Sequence, residues 1–110
     1  MKAGGLLIAG ADPTGNGGAL AGFADQRNIE LLVEGGFTAV EAIQIATANS
    51  AKFRGEQERL GTIAAGKHAD LVVINGNPAA RIADIRNVKI VFNLERAVTR
   101  WHRRGDQCLR

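Results

Sequence analysis

Residues 6–18 read Leu6-Leu7-Ile8-Ala9-Gly10-Ala11-Asp12-Pro13-Thr14-Gly15-Asn16-Gly17-Gly18, and the reading of this stretch decides the fold. It begins with four apolar residues, Leu6 to Ala9, closed by Gly10. A run this short with glycine at its border reads as a strand buried on both faces. A single carboxylate, Asp12, comes next, and then a loop of Pro13, Thr14 and glycines. An acid just past a buried parallel strand stands where α/β sheets and barrels gather reactive groups. Asp-Pro is also ordinary turn chemistry. Position alone favours an Asp12 that caps a turn, and the rest of the chain has to decide.

At 110 residues there is room for one small domain at most. Hydrophobic residues are 45%, enough in composition for a core. Of 14 glycines, six fall in Gly4–Gly18, which puts loop character at the front. Aromatics are 5% with no Tyr, too few platforms for a nucleic-acid binder that works by stacking. The net charge of +3 is uneven: residues 1–55 carry 4 basic and 5 acidic side chains, residues 56–110 carry 10 and 6. The excess is densest in Arg100, Arg103, Arg104 and Arg110. That is a basic tail, capable of weak, salt-sensitive attraction to polyanions. The lone Cys108 excludes an internal disulfide and a cysteine-based zinc site. No apolar run approaches the ~18 residues of a membrane span. Met1–Gly5 lacks the apolar stretch of a signal peptide. The chain reads as soluble, with its compartment open.

Helical signals follow the glycine loop. In Phe23–Glu34, Ile29, Leu32 and Val33 share one face, while Asp25, Arg27, Glu30 and Glu34 lie elsewhere, and Gly35-Gly36 ends the helix. Thr38 and Glu41 form a capping box at the head of a second helix. It runs through AVEAIQIATAN, and its many small residues (Ala42, Ala46, Thr47, Ala48) let another backbone come close, which suits a helix packed on a sheet. Asn49-Ser50 interrupts it, with Ser50 capping one more turn, Ala51 to Arg54. Gly55 to Arg59, GEQER, is a charged loop and the best internal boundary.

Beyond this loop the period changes. Leu60–Ile63 leads to a turn at Ala65-Gly66-Lys67, then to a β run over Ala69–Ile74. Asn75-Gly76-Asn77-Pro78 closes that run. Ala79–Asn87 reads as irregular, anchored by Ile82 and Ile85. Val88, Ile90 and Phe92 alternate, as do Ala97, Thr99 and Trp101 or their opposite phase, Val98, giving a hairpin around Asn93-Leu94-Glu95.

These parts do not close a domain. One buried strand needs neighbours on both edges, and two helices need a sheet to cover. Met1–Gly5 reads as the end of a helix whose body is not in the chain. The division expected is 1–55, 56–102 and a disordered basic tail, 103–110.

The ordered motifs resemble the C-terminal portion of the metal-dependent amidohydrolase superfamily, in its imidazolonepropionase- and prolidase-like branch. They are the strand with its GxDPxG loop, ELLVEGG, TAVEAIQIATANSAK, LGTIAAGKHADLVVINGNP and the terminal hairpin. The similarity runs from about Lys2 to Arg100, and Leu60–Val73 is its most specific part. The resemblance implies an α/β chain: the last strand and closing helices of a (β/α)8 TIM barrel, then strands of a small β-sandwich. It implies that Asp12 is the acid at the end of the last strand, a metal ligand and proton shuttle. It also implies a divalent metal, usually zinc, and hydrolysis of carbon–nitrogen bonds in small amides, cyclic amides or dipeptides. Thr14, Asn16 and Gly17 would border the substrate.

The departures are as informative. The family's His-x-His pair, bridging Lys and two further His ligands lie upstream of this region and have no counterpart here. His68 and His102 match no ligand position. One carboxylate cannot hold a catalytic zinc, which takes about three protein ligands. The expectation is therefore an isolated chain that binds no metal stably and is inactive, belonging to a hydrolase when complete. Ala11 stands where relatives often carry a hydroxyl, and Leu94-Glu95 where they carry a glycine turn.

A second reading is a non-catalytic binding or assembly module that keeps a remnant of the fold. Gly15–Gly18 lacks the Lys-Ser/Thr and glycine spacing of a phosphate loop. Arg104-Gly105-Asp106 is a chance triplet in an Arg-rich tail. Neither a nucleic-acid nor a membrane partner is expected. Self-association through open strand edges is.

Overall fold

A computed structural model describes residues 4–12, 20, 22–93 and 96–100. The expected substrate loop (Thr14, Asn16, Gly17), the helix end at 1–3, the hairpin tip at 94–95 and the tail from Trp101 onward, with His102 and Cys108, lie outside them. Within them the chain is α/β: helices first, then a three-stranded antiparallel sheet.

Helix α1 spans Ala24–Glu34. It ends as its glycines require. Gly36 takes φ +103°, and the N–H groups of Gly36 and Phe37 donate back to Val33 O at 3.0 Å and Leu32 O at 3.1 Å. This pair of bonds satisfies carbonyls that a helix end leaves open. One expectation for α1 fails. Glu30, read as part of the polar face, is 6% exposed. It is buried because Arg86, 56 residues on, comes to meet it.

The second helix begins with the capping box. Glu41 N–H donates to Thr38 Oγ1 at 3.2 Å, and Thr38 N–H donates to Glu41 Oε2 at 2.8 Å. Thr38→Ala is expected to cost about 1 kcal/mol. A urea midpoint left where it was would remove the box from the account.

The expected interruption at Asn49-Ser50 is not there. Helix α2 (Ala39–Gln44), a wide π turn (Ile45–Asn49) and helix α3 (Ser50–Phe53) run on without a break. Asn49 and Ser50 keep right-handed helical dihedrals, so Ser50 caps nothing. Its hydroxyl instead donates to Ile45 O at 3.1 Å, five residues back, in the register of the wide turn. Gly55, at φ +71°, closes α3 by the same two-bond motif that closes α1.

Leu6–Ala9 forms no strand, contrary to expectation, and it is not buried on both faces. A strand is defined by its ladder, and among the described residues nothing pairs with this run. It is extended, with Leu7, Ala9 and Ala11 half-buried and Leu6, Ile8 and Gly10 exposed.

Strands β1 (Leu71–Ile74), β2 (Val88–Asn93) and β3 (Arg96–Arg100) pair in sequence order. The hairpin register sets Asn93 against Arg96 and Phe92 against Ala97, and β1 sets Leu71 against Phe92. The stretch read as irregular holds a 3-10 helix, Ile82–Arg86, with Ile85 buried as expected of an anchor. Asp84 is buried beside it. Its carboxylate accepts from Asn77 N–H at 3.0 Å and from Arg81 Nε at 2.8 Å. The Asn77 N–H, then Arg81, hold this carboxyl below the usual range.

The core is thin. The buried hydrophobic residues among those described are Ala42, Ile45, Ala51 and Ile85. Leu31, Val40, Phe53, Ile63 and Val72 stay exposed. The small residues of the second helix do receive a close backbone, but it belongs to a loop. A Cβ on Gly61 would stand 2.6 Å from Ala51 Cβ and 3.0 Å from Ala48 Cα.

Candidate functional site

Asp12 ends the extended run, exposed, at φ +38°. It is the non-glycine residue with positive φ among those described. Aspartate tolerates this region better than most side chains, at a cost of about 1 kcal/mol or more. Behind it, the run is held to the helices by Asn49, whose Nδ2 donates to Leu7 O at 3.0 Å. Thr14, Asn16 and Gly17 fall outside the described residues, so no geometry joins them to Asp12. His68 sits half-buried in the turn before β1, its N–H bonded to Arg59 O at 3.0 Å.

A metal does not fit on these residues alone. Among the described residues no group of three or more His, Cys, Asp or Glu side chains could hold an ion. No described helix is long and apolar enough to cross a membrane.

Two polar clusters were missed from sequence. Lys67 Nζ donates to Gln57 O at 2.5 Å and to Thr62 Oγ1 at 2.7 Å, drawing the loop before β1 together. The other lies in a groove of about 330 Å³ between α1 and the 3-10 helix, lined by Arg27, Glu30, Glu34, Ile82 and Arg86 among others. Arg27 donates to Glu34 at 2.5 Å and to Glu30 at 3.3 Å, and Arg86 Nε donates to Glu30 at 2.6 Å. The Arg86 guanidinium also lies 5.1 Å from the Phe23 ring centroid. Two arginines face two glutamates, so the groove offers an anion no surplus charge. Arg27, Glu30 and Glu34 at i, i+3 and i+7 share a helix face, and that spacing was the signal available.

Residues 8–99 match the amidohydrolase family. The chain is 49% identical over 47 residues to an adenine deaminase of Klebsiella pneumoniae, covering 43% of this chain and 8% of that protein. A Xaa-Pro dipeptidase structure matches 66% of this chain and 18% of its own, at 36% identity and a TM-score of 0.64. A prolidase structure from Bifidobacterium longum matches 71% and 19%, at 35% identity and a TM-score of 0.67. Molinate hydrolase matches 72% and 17%, at 32% identity and a TM-score of 0.69. The chain thus spans less than a fifth of the length of each of these relatives.

Proposed function

The chain belongs to the amidohydrolase family, and from that premise we propose that it supplies the closing part of a hydrolase that breaks carbon–nitrogen bonds in small molecules. In this reading residues 1–55 end a (β/α)8 barrel and residues 56–102 contribute strands to a β-sandwich. Asp12 is the reacting acid. The observation that carries the proposal is the family match across residues 8–99, with Asp12 just past the extended apolar run. The named relatives agree in chemistry: a dipeptidase and a prolidase cleave an amide C–N bond, and a deaminase removes an amino group.

A carboxylate suits this reaction. A water oxygen must bond to the carbon while its proton leaves, and the departing nitrogen must gain one. Asp12 Oδ can accept the first proton and return it to the nitrogen, so one group serves both halves. The positive φ at Asp12 supports the reading, since strain of this kind collects at functional positions. A divalent metal, zinc by family habit, would need donors from outside the described residues.

The test is the genomic reading frame around the Met1 codon and the protein it encodes. The frame is expected to extend upstream through an apolar run followed by His-x-His. That complete protein is expected to hydrolyse Xaa-Pro dipeptides or N-acyl amino acids, and Asp12→Asn to lower kcat by about 10²–10⁴-fold. The 110-residue chain supplied with Zn²⁺ is expected to show no turnover. Unrelated sequence upstream, or full activity in Asp12→Asn, would sink the proposal and favour a binding module.

A further inference from the structure

The helix from Ala39 to Phe53 widens in the middle, and the widening has an address. From Ile45 to Asn49 the backbone bonds skip one residue more than in an α-helix. Such turns lose regular geometry, and they collect where a displaced side chain has a task. The residue at the end of the wide turn is Asn49. It is half-buried, and its Nδ2 reaches across 42 residues of sequence to Leu7 O at 3.0 Å. Leu7 lies in the extended run that ends at Asp12.

The wide turn is itself braced. Thr47 Oγ1 donates to Ile43 O at 2.7 Å, and Ser50 Oγ donates to Ile45 O at 3.1 Å. Gly61 packs so closely on Thr47 O, Ala48 and Ala51 that a methyl group would not fit. A side chain on a braced turn can fix a flexible neighbour, because its own position is already set.

We propose that Asn49 is a positioning residue: the π turn exists to bring its side-chain amide to the Leu7 carbonyl, and that bond sets where the Asp12 segment lies. The importance of that placement for catalysis rests on the proposed function. The clamp itself does not.

The experiment is NMR on the 110-residue chain, with ¹⁵N labelling. In the unaltered chain one Asn49 side-chain amide proton is expected to be slowed in exchange about fivefold or more relative to exposed Asn side chains, as a net bond of about 1 kcal/mol implies. Asn49→Ala and the isosteric Asn49→Asp, which has no donor, are both expected to shift the amide signals of Leu7 to Asp12. Their order parameters should fall from the rigid value of about 0.85 toward 0.6, while 71–93 keep theirs. Lys52→Ala, exposed on α3 and outside the bracing bonds, keeps Asn49 and should leave the Asp12 segment in place. An Asn49 side-chain amide that exchanges freely in the unaltered chain would overturn the proposal. So would an Asn49→Asp variant with 7–12 unmoved, or changes spread evenly over 71–93. If the clamp holds while Asp12→Asn leaves the complete enzyme active, the functional reading fails and the positioning role stands.

Discussion

Gly61→Ala is expected to destabilise the chain by about 2–4 kcal/mol, whereas Gly66→Ala costs only about 1 kcal/mol. The two glycines share a backbone conformation, φ +87° at Gly61 and +84° at Gly66. An alanine at either pays the same kind of penalty for its left-handed dihedral. The difference is space. At Gly66 an added Cβ meets nothing within 4 Å, but at Gly61 it meets Ala51 Cβ at 2.6 Å, Ala48 Cα at 3.0 Å and Thr47 O at 3.2 Å. Ala51 and Ala48 are on a helix and cannot swing aside as a long side chain would, so helix or loop must shift. Overpacking of this kind costs about 1–3 kcal/mol beyond the dihedral term. Urea unfolding of the two variants, compared at equal m-value, reads the difference directly. Equal midpoints would mean that the loop and helix separate freely.

This close approach shows how far the sequence could be read. The abundance of small residues in the second helix predicted that a backbone would come near, and one does, though it is a loop and not the expected sheet. Composition could not say that the partner is Gly61, because that depends on how a distant loop folds back. Features governed by neighbours in sequence were legible in the same way. Thr38 and Glu41 meet as a capping box, Gly36 stops α1, and Asn93 opposes Arg96 across the hairpin. What depended on distant partners was not. Ser50 carries the local chemistry of a cap, yet the helix runs on through it and its hydroxyl turns back to Ile45 O. Leu6–Ala9 has the composition of a buried strand and no ladder among the described residues. Ile82 and Ile85, three apart, were the trace of the 3-10 helix, too short a pattern to distinguish from loop anchors. For the site, residue pattern alone favoured an Asp12 that caps a turn over a catalytic one. The family resemblance gave it a role, and the match over residues 8–99 supports that family. Among the described residues no group of three or more His, Cys, Asp or Glu side chains could hold an ion, so a metal site was not legible in this chain's fold.

Glu30→Gln is expected to cost about 1–2 kcal/mol near neutral pH and to flatten the acid limb of the stability curve. Glu30 is the one ionised side chain of α1 that the fold buries, at 6% exposure. Its carboxylate accepts both Arg86 nitrogens and Arg27 Nη1. The substitution keeps the shape and removes the charge. An amide oxygen can still accept from Arg86, but not as the two-oxygen partner that a guanidinium fork matches. Breaking a wholly buried pair costs about 3–5 kcal/mol. The smaller figure applies because the arginine side chains remain 44% and 37% exposed, and water takes up their freed donors. The pH dependence follows from the same contacts. Hydrogen bonding from Arg86 first, then Arg27, outweighs burial and holds the Glu30 carboxyl below its usual range. A carboxyl with a depressed folded pKa gives its full stabilisation above the unfolded value of about 4.3. That stabilisation is lost as pH falls through the folded value, because the unfolded chain then binds the proton more readily. Glu34, Glu41 and Asp84 are lowered as well and act in the same direction. The variant should therefore lose part of the slope between about pH 5 and 3, not all of it. Urea midpoints measured from pH 7 to 3 test both claims. A variant as stable as the parent at pH 7, with an unchanged acid slope, would show that the Glu30–Arg86 bonds do not hold α1 to the 3-10 helix.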